Sequence, residues 1–150
     1  MSKQDIRVQD GHRYAAHPYQ VKAAATDILT GEWVIKGTGG DAEYVTIAAD
    51  TASTSDSHVG VAVSNSTQTA TADGVVYVVD DPDALFVIKP TTAANLATTI
   101  IETKVTMDVT SGVFTLDEND TSNGCFIIKS YDVGRNEIVF KLDKSYHCDS

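Results

Sequence analysis

Apolar and polar positions along this chain alternate with a period of two far more often than they recur every three or four residues. The stretch HVGVAV (58–63) sets Val59, Val61 and Val63 on one side and His58, Gly60 and Ala62 on the other. That is the pattern of a strand with one buried face. Gly60 inside the run predicts a bulge or a closely approaching neighbouring backbone. EWVIK (32–36), EYVTIAAD (43–50), VVYVVDD (75–81), ALFVIKP (84–90), VTMDV (105–109), GVFTL (112–116), GCFIIKSYD (124–132) and NEIVFKLD (136–143) read as further strands. Turn signals separate them: Thr30-Gly31, GTGGD (37–41), Asp73-Gly74, Asp81-Pro82 and DVGRN (132–136), each rich in residues that reverse a chain. DTASTSDS (50–57) reads as a loop. TTAANLATTIIE (91–102) is the single helical candidate, with Thr91 or Thr92 as its cap, although its β-branched residues oppose a helix. Short strands at regular spacing predict an all-β chain, a β-barrel or β-sandwich of short antiparallel strands with at most one short helix.

Residues 1–20 depart from this pattern. They are polar, hold His12, His17 and Pro18, and sustain no period. They read as an extended N-terminal arm ahead of one β domain over residues 21–150. Ile6, Val8, His12, Tyr14, His17 and Tyr19 are the arm side chains expected to meet a partner or another subunit. Trp33, the one tryptophan, reads as a core or subunit-contact residue, and Gly60 as a point where a neighbouring backbone or subunit comes close.

Composition narrows the function classes. A chain of 150 residues with 42% hydrophobic and 21% charged residues is an ordinary globular domain,. Its formal net charge of −10 opposes binding to the phosphate backbone of nucleic acid and to anionic membranes, both of which need clustered cations. The same field suits solubility and a positively charged protein partner. No apolar core of a signal peptide opens the chain, and no apolar run approaches the roughly 20 residues of a spanning helix. Cys125 and Cys148 read as free thiols, Cys125 as a small buried hydrophobe.

Candidate chemistry is sparse. GTGG lacks the Gly-Lys-Ser/Thr ending of a phosphate loop,. The oxygen-rich run 117–124 puts Ser122 where a calcium-binding EF-hand needs Gly, and Ile128 where it needs Glu,. Asp80, Asp81 and Asp83 form a second acidic group that reads as a turn. His12, His17, His58 and His147 have no zinc spacing, and no nucleophile elbow occurs,. Adjacent His147 and Cys148 do not form an obvious activated pair. No catalytic, cofactor or metal residue is assigned from sequence.

The order of pieces resembles the small decoration, or cement, proteins of tailed-bacteriophage capsids. The matching stretches are HVGVAVS after a Gly-rich hairpin, ADGVVYVV, ALFVIKP and the closing NGCFIIKSYDVGRNEIVFKLDKSYH, over roughly residues 21–147. The resemblance implies a β-barrel or β-sandwich virion protein on the capsid exterior, made in the host cytoplasm. Its implied partner is an assembled shell of HK97-type major capsid protein, which it binds as a homo-oligomer, trimer or dimer, near symmetry axes and braces against internal DNA pressure. No enzyme activity and no cofactor are implied. The alternative reading is an adhesion or carbohydrate-binding β module on a virion or cell surface, with residues 80–83 or 117–124 as its binding cluster.

Overall fold

The alternating runs fold as strands in a computed structural model that describes residues 5–48 and 51–149. Twelve strands occur among them: β1 (Arg7–Val8), β2 (Ala16–Val21), β3 (Trp33–Lys36), β4 (Val45–Ile47), β5 (Thr51–Ala52), β6 (His58–Ala62), β7 (Gly74–Val79), β8 (Phe86–Ile88), β9 (Lys104–Thr110), β10 (Val113–Asp117), β11 (Phe126–Asp132) and β12 (Glu137–Leu142). They make two antiparallel sheets. A five-stranded sheet runs β2-β7-β6-β3-β4, and a seven-stranded sheet runs β1-β8-β12-β11-β9-β10 with β5 also on β9. The chain is all-β, with the barrel-like or sandwich character that the strand spacing predicts.

The larger sheet bonds back on itself. Leu116 N–H donates to Lys89 O at 3.0 Å, and Thr91 N–H donates to Leu116 O at 2.9 Å. These two bonds flank Pro90, which pairs with Leu116 in a parallel bridge. Proline has no N–H to offer a ladder, and this geometry asks for none. Hydrogen bonding therefore passes around β8, β12, β11, β9 and β10 and returns to β8.

The main core lies between the sheets. Trp33 is fully buried there with Phe86, Phe126 and Phe140. Its ring meets Phe126 edge-on at 5.1 Å and Phe86 at 5.6 Å, the arrangement aromatic quadrupoles favour. A second cluster, Val21, Ile28, Val34, Val45, Val59, Ala62, Val76 and Val78, uses the opposite face of the five-stranded sheet. The polar link 64–73 closes over it by hydrogen bonds. Ser66 N–H donates to Ile28 O at 2.8 Å, Ser66 Oγ accepts from Ile28 N–H at 2.9 Å, and buried Gln68 Nε2 donates to Ala25 O at 3.0 Å. A run of Ser, Thr and Gln thus satisfies the backbone of the 22–30 loop rather than doing chemistry.

Four expectations change. Val59, Val61 and Val63 do not share one face. Trp33 pairs with Val61, Val34 with Gly60 and Ile35 with His58, so Val59 is an extra, bulged residue. A bulge reverses the alternation: Val59 enters the second cluster, Val61 stays in the main core, and Val63 is 43% exposed. Gly60 makes the crossing possible, with φ +155° and a position where a Cβ would sit 1.8 Å from Val79 O.

Residues 5–20 are extended but are not a separate arm, and a boundary at residue 21 falls inside β2. Ile6 is in the main core, β1 pairs with β8, and β2 pairs with β7. Burial of Ile6 and two ladders outweigh the polar composition. Residues 1–4 of the expected arm lie outside the described residues. The helical candidate instead forms two single 3-10 turns, Ala93–Asn95 and Thr98–Ile100. Thr92 makes no side-chain cap; its N–H donates to Glu118, and β-branched threonines disfavour further turns. Part of the 50–57 loop is β5, which pairs Thr51 and Ala52 with Asp108 and Met107; residues 49 and 50, which end the expected 43–50 strand, lie outside the described residues.

Candidate functional site

The pleat of β2 sends its side chains to two different surfaces. Ala16, Val79 and Val61 form one row across β2, β7 and β6, and this row packs in the main core. The next row along the same face is Pro18, Tyr77 and Val63: Pro18 is opposite Tyr77, and Val63 N–H donates to Tyr77 O at 2.9 Å. This row is in solvent, with Tyr77 49% and Val63 43% exposed. Val75, 37% exposed, follows opposite Gln20. An apolar sheet face thus runs out of the core onto the surface. Side chains two apart on a strand share a face, so the period that fills the core also builds the exposed strip.

The other side of β2 carries His17 and Tyr19, and both reach Asp80 just beyond β7. His17 Nδ1 lies 2.7 Å from Asp80 Oδ1, and Tyr19 donates its hydroxyl to Asp80 Oδ2. Burial, and then the Asp80 carboxylate, push the Tyr19 hydroxyl well above its ordinary pKa. Tyr19 therefore stays protonated and acts as a hydrogen-bond donor. A groove of about 310 Å³ opens beside them, lined by Ala15, His17, Asp80, Asp81, Pro82 and Asp149. A larger one of about 710 Å³ shares Pro82 and Asp149 and adds Asp143, Lys144, Ser145 and His147. Between β2 and the C-terminal segment the fold brings together two histidines, a tyrosine, a thiol and carboxylates from distant parts of the sequence.

The residues expected to make contacts are dispersed. Ile6, Trp33 and Gly60 are buried and present no surface. Val8 is half-buried against the main core. His12 is exposed and stacks on Tyr14 with ring centroids 6.1 Å apart, while the Tyr14 hydroxyl accepts from Leu85 N–H at 3.2 Å. His17 and Tyr19 meet through Asp80, apart from the His12–Tyr14 pair. Asp80 was visible in sequence as part of an acidic turn, but its pairing with His17 depends on the β2–β7 register.

One polar group is central to the core. His58 is fully buried on β6. Trp33 Nε1–H donates to its Nδ1 at 2.9 Å, which leaves Nε2 as the protonated nitrogen, 2.8 Å from Ser53 O and 3.3 Å from Cys125 Sγ. Burial pushes the His58 pKa down and raises that of the Cys125 thiol to about 12. Both are neutral, structural groups at neutral pH.

The acidic runs are largely consumed by turns. Asp81 accepts from Asp83 N–H, Asp117 from Asn119 N–H, and Asp120 from Ser122 N–H and Thr106 Oγ1–H. Glu118 is buried beneath Thr92, and burial raises its carboxyl pKa. Set against protein-family models, curated proteins and solved structures, the chain matches none.

Proposed function

We propose that this chain is a virion structural protein that binds the outer surface of an assembled tailed-phage capsid as a homo-oligomer and stabilises it. The supporting observation is the exposed row Pro18, Tyr77 and Val63, continued by Val75. A tyrosine set among aliphatic side chains on a rigid sheet is the kind of anchor that carries binding energy in protein interfaces. The net charge of −10 adds attraction to a basic partner surface. Many copies on one lattice gain through multivalency, so a shallow strip on each is enough.

The test is co-sedimentation with expanded capsids of the virus that encodes the chain, stripped of other decoration. Saturable binding is expected, together with a dimer or trimer by light scattering. Binding that is absent throughout a titration would overturn the proposal. So would binding that survives replacement of both Tyr77 and Val63 by threonine.

A further inference from the structure

We propose that His147, Cys148 and Asp149 form a binding site for a divalent transition-metal ion, and that zinc is the ion the donor set fits best. Among the described residues, they are the one group of three His, Cys, Asp or Glu side chains whose ligand atoms all lie within 4.8 Å of one another. Consecutive side chains of an extended strand point to opposite sides, so three neighbours converge only where the backbone turns. Here it does. Lys144–Tyr146 is a single 3-10 turn capped by Asp143, whose side chain accepts from Ser145 N–H. Asp149 N–H then folds back to His147 Nδ1 at 3.2 Å, and Cys148 Sγ stands 4.0 Å from the same nitrogen. A tetrahedral zinc ion holds sulfur at about 2.3 Å and nitrogen or oxygen at about 2.0–2.2 Å, which sets its ligand atoms roughly 3.4–3.6 Å apart. Small side-chain rotations close the gap, and the ion takes the place of the Asp149 N–H on Nδ1.

The backbone under this cluster is fixed. Cys148 N–H donates to His58 O at 2.8 Å, and His147 pairs with His58 in a parallel bridge. Strand β6 therefore holds two of the three donors in place. His147 is buried, Cys148 half-buried and Asp149 exposed. Both grooves reach Asp149, so the fourth position of the ion faces solvent, where water or a partner's side chain completes it. A mixed sulfur, nitrogen and oxygen set selects zinc over the hard cations magnesium and calcium, which take oxygen alone. The thiol gives up its proton as the ion binds.

The experiment is a zinc titration of the full chain against a chromophoric chelator, with cobalt(II) as a spectroscopic probe and no capsid present, so its result is independent of the capsid reading. One ion per chain is expected, with a cobalt–thiolate charge-transfer band in the near ultraviolet. Cys148→Ser should abolish that band and weaken zinc binding by more than about tenfold. Asp149→Asn should weaken binding and keep the band, and His12→Asn, an exposed histidine elsewhere, should change neither. Circular dichroism of each variant verifies the fold. Absence of saturable zinc binding, or a thiolate band that persists in Cys148→Ser, would overturn the site.

Discussion

The indole of Trp33 donates its N–H to Nδ1 of His58 across 2.9 Å inside the main core, joining β3 to β6 through side chains as well as backbone. The bond requires a neutral imidazole, because a protonated ring would turn a second donor toward the indole. Burial holds the folded-state pKa of His58 below the ordinary value of 6.5, opposed by the Ser53 carbonyl and Asp56 and aided by His147. The unfolded chain therefore takes up this proton before the folded chain does. The contribution of His58 is complete above about pH 6.5 and declines as pH falls from there toward the folded pKa. NMR of the imidazoles should show His58 as the Nε2–H tautomer, titrating below the ordinary histidine value of 6.5. Trp33→Phe should cost about 1–3 kcal/mol in urea unfolding by orphaning Nδ1. A His58 that titrates at or above 6.5 would contradict this account.

Gly60 is the tightest point of the bulge. A Cβ there would lie 1.8 Å from Val79 O, at a φ of +155°. Backbone has to move, because no rotamer relieves a Cβ collision. Gly60→Ala should lower stability by about 3 kcal/mol or more, read from the denaturation midpoint, whereas Gly40→Ala, with open space around its Cβ position, should cost well under that. Equal effects at the two glycines would rule the bulge out as the cause.

The N-terminal segment should prove part of the fold. Arg7 reaches across β8 to Glu137, Nη1 to Oε2 at 2.7 Å and Nη2 to Oε1 at 3.2 Å, while the neighbouring Ile6 is in the core. Ile6→Ala should cost about 2–4 kcal/mol through its cavity. A double-mutant cycle on Arg7 and Glu137 should give a coupling of about 0.5–1 kcal/mol, small because the pair is partly exposed. Deletion of residues 1–20 should leave an unstable or aggregating product. A truncated protein that melts with the parent would show that β1 and β2 are dispensable.

On the exposed strip, Tyr77→Thr and Val63→Thr put a strand-favouring, β-branched threonine at each position and should shift stability by less than about 1 kcal/mol. Each should weaken capsid association, with Tyr77 the larger effect at about 2 kcal/mol. Binding isotherms alongside thermal melts separate the two effects.

The thiols should differ in reactivity. Cys125 is fully buried, with its thiol pushed up to about 12, and Cys148 is half-buried and raised to about 11. A thiol reagent at pH 8 should modify Cys148 slowly and Cys125 only on unfolding. Rapid modification of both in the native protein would refute this burial pattern.

Much of the fold was readable because strand burial repeats every second residue. ALFVIKP and NEIVFKLD mark β8 and β12 directly, and Cys125 in its apolar run reads as buried, whereas Trp33 was open between core and subunit contact until its burial placed it in the core. The segment before β3 misled, since AHPYQV is polar in composition yet forms β2. An edge strand needs only a few apolar anchors, and here Ala16 toward the main core and Val21 in the second cluster suffice. The His17–Tyr19–Asp80 meeting was illegible for a different reason: 61 residues separate Tyr19 from Asp80, and only the pairing of Ala16 with Val79 makes them neighbours.

By itself, then, the sequence determined the period of two, the turn positions, the acidic charge and the thiol count, because each is local chemistry or a plain sum. Tertiary structure alone decided which valines share a core. One bulged residue at Val59 divides a single apolar run between two clusters. It also decided that the alternating face ends in solvent at Tyr77 and Val63, and that the last histidine, cysteine and aspartate converge beside β6. Each of these depends on register and on where one sheet outruns the other. Those are relations between distant strands, and a one-residue shift in register exchanges inside for outside.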